Sequence, residues 1–179
     1  MLELKTQAID FELPDVISGN VISLNDLSFR KKGLLIMFIC NHCPYVKHVQ
    51  PELINIASEY LPKDIGIAAI SSNDVENYPE DSPDLMLEEA KKWRYPFPYL
   101  YDETQQIAKS YKATCTPDFF LFNSKSELVY RGELDSSSPG NGKPLNGHSL
   151  RTALDHLLAG IPIDQAQKPS VGCNIKWKY

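Results

Sequence analysis

The chain has 179 residues, 42% hydrophobic and 23% charged, which suits one soluble globular domain large enough to bury a core without disulfide staples. Its net charge of −5 argues against nucleic acid or a membrane as a partner, since both demand a basic face. Residues 1–13 carry no charged segment followed by an apolar stretch, and the longest apolar run, Leu34–Cys40, is far shorter than the roughly 20 residues of a membrane span. A cytoplasmic protein with reduced thiols is therefore the expectation.

Phe11–Leu13 and Val21–Leu24 flank the turn signal Ser18-Gly19-Asn20 and read as an N-terminal β-hairpin. Leu34–Ile39 is apolar throughout, the pattern of a strand buried on both faces. A helix follows at once. Pro44 suits its first turn, and Val46, Val49, Leu53, Ile56, Ala57 and Tyr60 recur at three- and four-residue steps. Pro51 inside it predicts a kink near residue 50. Ile65–Ile70 is a second buried strand. The acidic stretch 71–83 reads as a solvated loop without an EF-hand pattern. Ser82 and Pro83 open a helix over 84–93.

Phe97–Tyr101 is extended, and Asp102 with Gln105 has capping-box spacing for a short helix through Tyr111. Asp118–Phe122 and Glu127–Gly132 form a hairpin, 136–147 a loop, and Ser149 caps a last helix ended by Gly160 and Pro162. Residues 163–179 show no period and read as an irregular C-terminal tail. The whole is one α/β domain over 1–179, a mixed central sheet flanked by helices.

Of the four cysteines, Cys40 ends the first buried strand and Cys43 starts the helix. Free backbone N–H groups and the positive end of the helix dipole converge there, lowering a thiol below its free pKa of about 8.5. The spacer Asn41-His42 lets the sulfurs close a disulfide, and a protonated His42 favours the thiolate. A C-x-x-C pair reads as catalytic, redox, metal-binding or simply structural. Structural zinc wants four ligands, and only one pair is present, so the strand–turn–helix setting favours redox chemistry. No cofactor and no metal are expected.

Thr116-Pro117 precedes a strand. With the strand-then-C-x-x-C order it resembles the thioredoxin superfamily. Residues 8–15 are similar to the peroxiredoxin (AhpC/TSA) branch. The blocks Phe38–Lys47 and Lys168–Trp177 are similar to a peroxiredoxin-like group of thioredoxin-family proteins. The resemblance implies a thioredoxin fold and a cis bond at Pro117. It nominates two nucleophiles. In thioredoxins the first cysteine, here Cys40, attacks and Cys43 resolves; in peroxiredoxins the position of Cys43 attacks peroxide. The peroxiredoxin Pro and Thr/Ser before that cysteine are Ile36 and Cys40 here, and the catalytic Arg falls near Thr116. Those missing groups normally stabilise the charge developing as the O–O bond breaks.

Three activities follow as expectations. The first is a thiol–disulfide oxidoreductase acting on a disulfide-bearing protein or small-molecule thiol with a cellular reductant. In it Cys40 attacks, Cys43 releases, His42 tunes the thiolate and Pro117 presents backbone to the substrate. The second is a thiol peroxidase with Cys43 peroxidatic and peroxide as substrate. The third is a redox sensor or binding module without turnover, in which the cysteine pair switches a partner-binding surface. Accessory candidates are Cys115, near Pro117; Cys173, a tail thiol able to fold back as a resolving residue; Thr116; and Lys47, whose charge lowers a nearby thiol pKa.

Overall fold

The structure, a computed structural model, describes residues 1–179. Its centre is a five-stranded sheet in the order β5-β4-β3-β7-β8: β3 (Gly33–Phe38), β4 (Ile65–Ser71), β5 (Tyr99–Tyr101), β7 (Asp118–Asn123) and β8 (Leu128–Gly132). β3, β4 and β5 run parallel, while β7 and β8 run antiparallel, so the sheet is mixed. The apolar run of β3 is explained by its two faces. Leu35, Met37 and Ile39 point into one core; Leu34, Ile36 and Phe38 point into the other.

The first core is closed by α2 (Pro44–Tyr60), α3 (Pro83–Trp93) and α5 (His148–Ala159), through residues such as Val49, Leu53, Met86 and Leu154. The second is closed by the N-terminal segment, by α1 (Leu24–Ser28) and by α4 (Gln106–Ser110). Every fully buried side chain of this kind contributes roughly 1.5–3 kcal/mol of hydrophobic stabilisation. No helix is long and apolar enough to cross a membrane.

Most elements lie where their residue patterns predict, including the N-terminal hairpin of β1 (Glu12–Pro14) and β2 (Val21–Ser23). Pro51 is accommodated in one continuous α2. Four readings need correction. Leu24 opens α1 rather than ending a strand, because Ser23 and Asp26 close a capping box across it. Asp102 does not form a box with Gln105; its carboxylate instead accepts the N–H groups of Ile107 and Ala108. Gly147, not Ser149, caps α5, and the Ser149 hydroxyl turns to Glu133. The acidic stretch is not all solvated: Asp74 and Asp81 are buried.

The tail is tied down along its length. β9 (Cys173–Asn174) pairs antiparallel with β6 (Cys115–Thr116), with Thr116 opposite Cys173. Ile175 N–H then reaches the Thr114 carbonyl, and Gln105 donates to the Lys176 carbonyl and accepts from Lys178 N–H. This strap depends on Gly172. A Cβ there would stand 2.0 Å from the Thr116 carbonyl oxygen, well inside van der Waals contact.

Gly172→Ala should therefore cost about 1–3 kcal/mol, the usual penalty of forced overpacking. Urea unfolding would measure it, and limited proteolysis should become faster in the tail. Unchanged values in both would mean that the tail does not lie on β6 in solution.

Candidate active site

The turn between β3 and α2 presents the two cysteines to the strand that carries Pro117. Cys43 is the N-cap residue of α2, with Pro44 in the first turn, so the unsatisfied N–H groups of that turn face its sulfur. Thr116 lies opposite. Its hydroxyl is 3.5 Å from the Cys40 sulfur, and its carbonyl accepts from the Cys43 thiol at 3.4 Å. The Thr116–Pro117 bond is cis. Both sulfurs are deeply buried: Cys40 is 1% and Cys43 0% exposed.

Their electrostatics are opposite. The Cys43 thiol is lowered to about 4, chiefly by a hydrogen bond from Cys40; burial opposes this, and Cys173, the Val46 N–H and the Thr116 hydroxyl reinforce it. The Thr116 carbonyl is the contact that holds on to the Cys43 proton, and it is outweighed. Cys40 is pushed far up, because its proton serves Cys43, because it is buried, and because Asp81 is near. The donors on Cys43 are all neutral, and Lys47 is not among them. Lys47 is exposed on a shallow surface with Glu80, Glu88 and Glu89.

His42 is held by a residue that sequence reasoning passed over. Its Nδ1 lies 2.5 Å from Asp81 Oδ2. The same carboxylate accepts the backbone N–H groups of Asn41 and His42 and the Asn73 side-chain amide. Asp81 thus gathers the start of the active turn, the imidazole and Asn73 on one carboxylate. The ring also stacks on Tyr78, at 5.7 Å between centroids. Asn41 is pinned in turn by the Tyr99 hydroxyl and the Glu80 carbonyl. Cys40, His42 and Asp81 place potential ligand atoms within 4.8 Å of one another, but the donors around Asp81 already occupy it, so the set does not suit a metal ion. The only signal for Asp81 was its place in an acidic stretch, which has the composition of a surface loop.

The accessory candidates separate. Cys115 is buried, its thiol pushed up to about 12 by burial, and its hydrogen bond goes to the Pro117 carbonyl. Cys173 is partly exposed and packs against the core cluster that holds Cys40 and Cys43, within hydrogen-bonding reach of Cys43. His48 turns away and meets the Ser137 hydroxyl at 2.6 Å. A cleft of about 210 Å³ opens beside Pro117, lined in part by Tyr45, His48, Phe119 and Ser137, and neither Cys40 nor Cys43 reaches it.

The AhpC/TSA family model matches residues 4–131, most of the chain. The protein belongs to the AhpC/TSA family. Two solved structures superpose over nearly all of this family member. An uncharacterized conserved protein from Geobacillus kaustophilus is 56% identical, with a TM-score of 0.97 over 99% of this chain and 94% of its own. A hypothetical protein from Sinorhizobium meliloti 1021 is 42% identical, with a TM-score of 0.96 over 99% and 96%. Peroxidoxin BcpB from Mycobacterium tuberculosis is 17% identical, with a TM-score of 0.66 over 89% and 98%, a likeness of fold alone. The thioredoxin fold expected from the sequence is the fold observed. No curated protein matches the chain.

Two predictions follow from this geometry. The folded-state pKa of Cys43, about 4, lies below the free value of about 8.5. The thiolate therefore stabilises the reduced fold fully above about pH 8.5, and that contribution fades as pH falls toward 4. Ultraviolet thiolate absorbance should persist into the acidic range, and Cys40→Ala should raise the midpoint by removing the strongest donor. A midpoint near that of free cysteine in the wild type contradicts the assignment. Asp81→Asn should destabilise by about 1–3 kcal/mol, because buried N–H groups lose a charged acceptor. It should also shift the pH profile of thiol exchange, whereas a purely structural Asp81 would leave that profile in place.

Proposed function

We propose that this protein is a thiol–disulfide oxidoreductase whose working pair is Cys40–Cys43, with Cys43 as the nucleophile. The observation that carries the reading is the placement of Cys43: it is the N-cap of α2, its sulfur meets the Thr116 carbonyl beside the cis Thr116–Pro117 bond, and its thiol is held low. Membership of the family implies thiol or peroxide substrates and a reductant in general.

In this reading the Cys43 thiolate attacks one sulfur of a substrate disulfide, and the other substrate sulfur leaves as a thiolate. The negative charge on Cys43 is then gone, and with it the main reason for Cys40 to keep its proton. In this reading the proton passes to the His42 imidazole, a ring nitrogen of which clusters with the Cys40 sulfur and an Asp81 oxygen within 4.8 Å. Cys40 then attacks Cys43, closes the Cys40–Cys43 disulfide and releases the second substrate thiolate. The order of attack assigned to Cys40 in the sequence-based expectation is thus reversed. The physical reason is that Cys40 faces Asp81, whereas Cys43 faces the helix N-terminus.

The test is turnover with a dithiol probe. Cys43→Ser should reduce it to background, and Cys40→Ser combined with Cys173→Ser, which removes the neighbouring thiol as well, should accumulate a mixed disulfide on Cys43. Full turnover in Cys43→Ser, or trapping on Cys40 in place of Cys43, would refute the assignment.

A second reading, thiol peroxidase, is favoured by one observation: a lowered thiol with no exposed surface suits a very small oxidant. Its weakness is the neutral surroundings, since no cationic side chain is among the donors to stabilise the leaving oxygen. Rapid peroxide consumption with sulfenic acid on Cys43 would support it; a rate like that of free cysteine removes it.

A further inference from the structure

A working disulfide that no solvent reaches needs a way to exchange with the outside. Cys40 and Cys43 are 1% and 0% exposed, and the cleft beside Pro117 does not reach them. Cys173 is the partly exposed member of the group. β9 lays it opposite Thr116, the same residue whose carbonyl meets the Cys43 sulfur, so both sulfurs converge on one peptide. Cys173 also packs against the core cluster that holds both Cys40 and Cys43. The close approach of Gly172 to the Thr116 carbonyl holds the tail at this depth.

We propose that Cys173 is a relay thiol, passing the Cys40–Cys43 disulfide to the protein surface as a Cys43–Cys173 disulfide. The inference rests on the thiol–disulfide reading above. The step conserves oxidation state. The Cys173 sulfur attacks Cys43, one S–S bond forms and the Cys40–Cys43 bond breaks. Cys40 leaves and takes up the proton that Cys173 has lost. An external thiolate then attacks the accessible Cys173 sulfur and expels Cys43; a second thiol of the reductant closes its own disulfide and frees Cys173.

The first exchange expels Cys40, whose thiol holds its proton strongly, so it needs the proton that Cys173 gives up; the sulfurs of Cys173 and Cys43 suit the exchange that follows. While Cys43 is a thiolate, the Cys173 thiol is held up to about 11, first by burial and then by its bond to Cys43 and the Cys43 charge. Once Cys43 is in a disulfide, that charge is absent, so Cys173 becomes a better nucleophile when it is needed. In the last step the group expelled is Cys43, the most acidic thiol of the three and so the best leaving group. Cys115 has no such place. It is buried, and its thiol turns to the Pro117 carbonyl.

Peptide mapping under non-reducing conditions after diamide treatment tests the relay. Oxidised wild type should contain the Cys40–Cys43 bond. Cys40→Ser, and independently Cys40→Ala, should contain Cys43–Cys173. In Cys173→Ser, diamide should still close Cys40–Cys43. Reduction of that bond by a protein dithiol such as a thioredoxin should then slow by about tenfold or more, because the exposed sulfur is gone. Cys43 and Cys173 both remaining free in the two Cys40 variants, or an unchanged reduction rate in Cys173→Ser, overturns the relay alone. Wild type that never forms Cys40–Cys43 overturns the oxidoreductase reading and the relay with it.

Discussion

Three segments that are far apart in the chain meet at one residue. Thr116 offers its hydroxyl to Cys40, its carbonyl to Cys43, and its backbone edge to the tail strand that carries Cys173. Much else in the site is organised by that convergence. The cis bond at Pro117 follows Thr116 directly, between β6 and β7, and Gly172 is small because the tail approaches the Thr116 carbonyl so closely. A bulkier residue at any of these places would separate the sulfurs, and a disulfide tolerates little separation.

Burial decides what kind of chemistry such a site can support. A buried thiolate has to be matched by donors, since an unpaired charge in the interior is costly. Here the match is made by another thiol, a backbone N–H at the start of α2 and a hydroxyl, all neutral. Neutral donors lower a thiol pKa well but stabilise a departing hydroxide poorly. On that ground we propose exchange between sulfurs for this site in preference to fast cleavage of an O–O bond.

The tail and the active turn are coupled by one polar chain. Lys176 N–H donates to Asn73, Asn73 donates to Asp81, and Asp81 holds His42. Lys176 also lies over the Tyr78 ring, which stacks on His42. The segment that places Cys173 therefore also helps to fix the imidazole of His42. Buried networks of this kind are rigid when every member is satisfied, and each member here has a partner.

Local signals in the amino-acid sequence sufficed for a good deal. The apolar run of β3, the periodicity of α2, the Ser82-Pro83 start of α3 and the hairpin of β7 and β8 depend on residues adjacent in the chain, so their patterns can be read in order. The same holds for placing Cys40 and Cys43 at a helix N-terminus. Other features exist only because distant residues meet. Asp81 has the composition of a surface loop, yet it is buried because Asn41, His42 and Asn73 all need its oxygens. Which cysteine is ionised depends on which one faces Asp81 and which one faces the helix. The tail shows no periodicity because its order comes from pairing with β6 and from Gln105, not from its own sequence. Spacing along the chain supplied the pair of sulfurs; only packing in three dimensions decided their charges and brought the third within reach.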